Sequence, residues 1–169
     1  MPNSLMKVSL AAVLSVSAWS AWAKEGPGEQ FITKAIQGNM AEVSLGQLAE
    51  QKGGSDGVKS FGQMLVQDHT AANEKATQAA QSAGAKVPTE PSKAQKATFD
   101  KMSKLSGAAF DRQFVTHMVS DHKKDISDYQ KEAKRSDGAI SEYAQSSLPT
   151  LQKHLETAQS LAQQEKASK

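Results

Sequence analysis

From about residue 28 to residue 166 the apolar side chains recur three and four residues apart, and nowhere do they alternate. A 3.6-residue period gathers them on one face of a helix, whereas a half-buried strand needs a period of two. Such a chain can build a core only by packing helices on helices. Phe31, Ile32, Ala35, Ile36, Val43 and Leu48 predict a first helix that ends at Gly53-Gly54. Ser55 or Asp56 can cap a second, striped by Val58, Phe61, Leu65 and Ala72 and closed by Gly84. The loop from Val87-Pro88 to Pro91-Ser92 leads to a shorter helix carrying Phe99, Met102 and Leu105. Ser106-Gly107 restarts a third long helix through Phe110, Phe114, Met118 and Tyr129, and Asp137-Gly138 turns the chain into a fourth. That last helix runs through Ile140, Tyr143, Leu148, Leu151, Leu155 and Leu161, with Pro149 expected to kink it near Gln145. The predicted fold is all-α: an antiparallel four-helix bundle with a short extra helix before the third long one. The arrangement becomes ferritin-like if the long link crosses the bundle.

The first 23 residues read as an export signal rather than as fold. Lys7 gives a positive start, VSLAAVLSVSAW an apolar run, and Ala21-Trp22-Ala23 a small-residue cleavage site before Lys24. About 12 apolar residues fall short of the ~20 that span a bilayer. The expected product is a periplasmic or otherwise exported single domain over 24–169, with its core at about 29–162 and no membrane span. No cysteine is present, so a lipid anchor, disulfides and thiolate zinc sites are all excluded. The formal net charge of +2 is near balance, and the best cation cluster, Lys131, Lys134 and Arg135, sits near a helix end where the macrodipole favours it, so nucleic acid is not an expected partner.

Histidines carry the chemistry. His69 stacks on Phe61 and Leu65 at four-residue steps, His122 on Phe114 and Met118, and His154 follows Leu151 by three. Each should therefore point inward. Glu42 lies roughly on the face of Phe31 and Ala35, so one carboxylate and three imidazoles, one from each long helix, could converge. That ligand set suits zinc, copper or iron. His117 is five residues from His122, about 140° round the helix, and is expected to pair at most with Asp121 at the periphery. Asp125, three residues after His122, is expected to orient that imidazole. Asp68 and Asp121 fall one position off the inward stripe and are expected to be solvated or lysine-paired. Met40, Met64, Met102 and Met118 are core fillers before they are copper ligands. Neither Glu-x-x-His nor His-Glu-x-x-His occurs, which disfavours carboxylate-bridged di-iron chemistry. No nucleophile–base spacing or phosphate loop supports an enzyme.

The segments EVSLGQLAEQKG (42–53), VKSFGQMLVQDHTAANE (58–74), LSGAAFDRQFVTHMVSDHKKDISDYQ (105–130) and SLPTLQKHLETAQSLA (147–162) resemble the bacterial exported domain-of-unknown-function 4142 family. The likeness covers about residues 29–162. It implies a ferritin-like four-helix bundle, with the family's polar positions matched by Glu42, Asp68, His69, Asp121, His122 and His154. It implies no activity. Two functions stay open at this point: a metal-binding bundle for buffering or stress protection, and a metal-free envelope-stress or protein-interaction module with buried histidines.

Overall fold

The computed structural model describes residues 26–136 and 138–167. The expected signal at 1–23 and Asp137 of the expected turn lie outside the described residues. Five helices make up the structure: α1 (Pro27–Lys52), α2 (Asp56–Ser82), α3 (Lys93–Met102), α4 (Gly107–Ala133) and α5 (Ala139–Ala167). Their boundaries fall on the expected signals, except that α3 stops at Met102 and leaves Leu105, expected on that helix, in the link to α4. The Ser55 hydroxyl accepts from the Val58 amide at the start of α2, and Ser92 forms a capping box with Gln95 at the start of α3. Gly138, at φ +103°, makes the turn into α5 with a backbone that side-chain-bearing residues avoid. Pro149 does not end α5, which continues to Ala167.

Helix α1 packs chiefly on α2, and α4 chiefly on α5. The link through α3 returns the chain along the bundle, because α4 begins beside the start of α2. There Gly53 pairs with Gly107 in a single bridge, and Asp111 accepts from the Gly54 and Ser55 amides at 2.8 Å each. At the far end Phe31 of α1 meets Tyr129 of α4, edge to face. Helix α4 is thus parallel to α2 and antiparallel to α1, a single-crossover connectivity.

Gly46 and Gly62 bring α1 and α2 to close quarters. A Cβ on either would lie 2.6 Å from the carbonyl oxygen of the other, so only bare backbone fits. The core divides into two apolar layers. Leu45, Phe61, Leu65, Phe110, Phe114 and Met118 build the one near the Gly53 end, and Ile32, Ile36, Ala80, Tyr129, Tyr143 and Leu151 build the other. Between them, at mid-bundle, every long helix contributes a buried polar side chain. None of the described helices is long and apolar enough to cross a membrane.

Candidate metal centre

The four side chains expected to converge do converge in this middle layer. Glu42 is 2% exposed, His69 4%, and His122 and His154 not at all. Glu42 Oε2 lies 2.9 Å from His69 Nε2 and 3.6 Å from His122 Nε2, and His122 Nε2 lies 3.3 Å from His154 Nδ1. Four ligand atoms placed about 2.05 Å from one ion would stand about 3.3 Å apart. These three separations bracket that value; the three imidazoles form one set with ligand atoms within 4.8 Å of one another, and Glu42 forms a second set with Asp121 and Asp125.

Outer hydrogen bonds fix which nitrogen faces inward. His122 Nδ1 is 3.1 Å from the Met118 carbonyl oxygen, which can only accept, so Nδ1 carries the proton. His154 Nε2 is 2.9 Å from an Asp68 carboxylate oxygen, again an acceptor. His69 Nδ1 meets Asn39 Oδ1 at 2.9 Å, while the Asn39 amide donates to the Tyr143 hydroxyl at 3.0 Å. The Tyr143 and Tyr129 hydroxyls in turn lie 3.2 Å apart. In neutral rings these bonds leave lone pairs on His69 Nε2, His122 Nε2 and His154 Nδ1. All three face Glu42 or one another.

Such an arrangement does not balance by hydrogen bonding. Two lone pairs 3.3 Å apart repel, and neither oxygen of Glu42 receives a hydrogen bond. His69 Nε2 is close to Glu42 but out of line for one. A buried carboxylate without donors is costly unless a positive charge sits beside it. Burial alone would raise the Glu42 pKa, yet the charges of His122 and His69 hold it well below the carboxylate range. Burial likewise works to lower His69, but Glu42 outweighs it and the imidazole is raised. His154 is pushed down to about 4, first by burial and then by the charge of His69, so it is a neutral base near pH 7.

Several expectations are corrected. Asp125 does not orient His122: the Met118 carbonyl does, because one helical turn back along α4 is closer than a side chain aimed elsewhere. Asp125 and Asp121 instead gather with Glu42, one oxygen of each lying within 4.8 Å of the others. Burial, Asp121 and Glu42 push Asp125 up to about 7. Burial and then Glu42 raise Asp121 as well. Asp68 is neither lysine-paired nor free, since it holds His154. Among the described residues no hydrogen bond or ion pair joins His117 to Asp121. Met102 and Met118 are buried in one apolar layer, with Met64 packed against it and Met40 against the other. Asn39 went unread in the sequence, although it follows Ile32 by seven residues and Ile36 by three, the inward spacing.

A family match to a domain of unknown function, DUF4142, spans residues 15–161 and takes in every residue of the centre. The chain belongs to that family. No curated protein and no solved structure matches it. The function of this DUF4142 chain must therefore be argued from its mid-bundle layer.

Proposed function

We propose that this DUF4142 protein binds one transition-metal ion through Glu42, His69, His122 and His154, and serves metal buffering or stress protection rather than turnover. The observation that carries the reading is the inward set of lone pairs. Three outer acceptors, the Met118 carbonyl, Asp68 and Asn39, turn three imidazole lone pairs inward, two of them beside a carboxylate that receives no aligned hydrogen bond. A second shell of this kind is what metal-ligating histidines use to fix tautomer and direction. Three nitrogens and one oxygen suit zinc, copper(II) or iron(II). Four protein ligands also close the coordination sphere, which favours holding an ion over reacting at it. The single long crossover is the connection of ferritin-like bundles, which build metal sites at this level between facing helices.

Chelator-treated protein should take up one zinc or iron(II) ion per chain, and His69→Ala and His122→Ala should each weaken that uptake at least ten-fold. Unchanged affinity in both variants would sink the site. A second reading has one observation behind it, the Glu42–His69 contact at 2.9 Å with His69 raised. A proton on His69 would then replace the metal in a metal-free interaction module. Under that reading the same variants lose roughly 1–3 kcal/mol of stability, the penalty for stranding a buried partner, and metal changes nothing.

We read residues 1–23 as a cleaved signal that delivers the protein to the periplasm or beyond. Both tryptophans, Trp19 and Trp22, lie within it. A mature protein starting at Lys24 and lacking tryptophan fluorescence is the expected result, and retained tryptophan emission would contradict it.

A further inference from the structure

The histidines occupy only one side of Glu42. On the other side stand Asp121 and Asp125, one turn apart on α4, with one oxygen each within 4.8 Å of a Glu42 oxygen and of each other. Lys124, between them in sequence, gives its hydrogen bond to Asp128 at 2.7 Å and acts on Asp121 and Asp125 only through its charge. Three carboxylates at this separation repel strongly unless a cation or a shared proton lies among them. Glu42 supplies an independent sign that a ligand belongs there. It is 2% exposed, and Oε1 as well as Oε2 is without a hydrogen bond.

We propose that a second divalent cation binds Glu42, Asp121 and Asp125, with Glu42 bridging it to the ion held by the histidines. The inference rests on the metal reading above and adds a position of different chemistry. All three of its protein ligands are carboxylate oxygens, so it favours a hard ion such as manganese(II), iron(II) or magnesium over a soft one. Hard ions keep part of their water. A groove of about 510 Å³ borders Asp121 and Asp125, with Gly38, Gln95 and Asp128 on its walls, and gives those waters room and the ion a route. The histidine side has a separate, smaller cavity of about 140 Å³, lined by Asp68, His69 and His154 among others.

Charge supports a pair of ions. With neutral imidazoles and every carboxyl ionised, as bound cations would hold them, Glu42, Asp68, Asp121 and Asp125 carry four negative charges around the centre. One divalent ion leaves two of them uncompensated at the half-buried edge of the centre, whereas two ions balance all four. The site needs no Glu-x-x-His motif, because the second position takes its ligands from an aspartate pair four residues apart on one helix.

The test begins with chelator-treated protein loaded with one equivalent of zinc, to which manganese(II) is added while the free ion is followed by electron paramagnetic resonance. One manganese per chain is expected to disappear from the free signal. The Asp121→Asn, Asp125→Asn double variant should keep its zinc, which also shows that it folds, and bind manganese at least ten-fold more weakly. Manganese left free by the zinc-loaded protein, or bound equally well by the double variant, overturns the second position while leaving the histidine centre standing. A chain that holds no zinc overturns both. A measurement on the unaltered protein covers a variant that does not fold. With copper(II) replacing zinc, an ion bridged at roughly 3.5–4 Å should couple to manganese and alter its signal. An uncoupled manganese spectrum refutes the bridge.

Discussion

Leucine at position 122 separates a metal ligand from a core residue. His122 is completely buried, and its Nδ1 bond goes to a carbonyl that belongs to α4. Leucine fills a similar volume, but it leaves buried Glu42 without the neighbouring charge of His122, and stranding one buried polar partner costs about 1–3 kcal/mol. Chelated His122→Leu should therefore lose about 1–3 kcal/mol against the unaltered chain, or roughly 3–9 °C for a domain of this size. Metal separates the two proteins. At an ion concentration 100-fold above Kd the unaltered protein gains about 2.7 kcal/mol, equivalent to roughly 8 °C. A 100-fold loss of affinity leaves the variant a gain of about 0.4 kcal/mol at the same concentration, equivalent to roughly 1 °C. Calorimetric melts with zinc and with chelator read all four states. A variant that keeps the full zinc shift refutes the ligand role.

Three further outcomes follow from the same geometry. Asp68→Ala should weaken zinc about 10- to 100-fold without changing its stoichiometry, since His154 loses the bond that fixes its tautomer; unaltered affinity by competition titration contradicts this. Gly62→Ala places a Cβ 2.6 Å from the Gly46 carbonyl oxygen. It should cost about 1–3 kcal/mol in denaturant unfolding and weaken zinc as well, because Glu42 and His69 ride on the two helices forced apart. For Asp125 the folded pKa of about 7 lies above its ordinary 3.8. Its stabilising contribution is thus complete below about pH 4 and lost as pH rises through 7. Metal-free Asp125→Asn should gain on the order of 2 kcal/mol over the unaltered chain at pH 8, after discounting for partial exposure, and nothing near pH 4. Equal gains at both pH values contradict the burial argument.

The sequence carried the helices because their ends are written in local chemistry. Gly53-Gly54, Ser92 and Gly107 stop or start helices by a missing Cβ where backbones meet, a capping hydroxyl and a positive φ respectively, and the structure uses all three. The four central side chains were legible for a related reason: one helix's own period decides which side chains point inward. What surrounds them was not legible. Whether Asp125 meets His122 or Glu42 depends on the rotation and offset of α4 against α1, and no single-helix pattern fixes those. The α1–α2 offset depends on the Gly46–Gly62 approach, which a reading of apolar stripes passes over. Asn39, Asp68 and Asp111 look like surface residues by type, yet each is committed to a partner on another element. Buried polar side chains are identified by their partners, and those partners are 30, 86 and 57 residues away in the chain.

Anomalous diffraction from crystals of the chelator-treated protein grown with zinc tests the central claim most directly. The predicted result is one strong peak about 2.0–2.2 Å from His69 Nε2, His122 Nε2, His154 Nδ1 and a Glu42 oxygen, with Asp68, Asn39 and the Met118 carbonyl still holding the outer nitrogens. Zinc found only on surface carboxylates, with the three imidazoles hydrogen-bonded among themselves, would contradict it.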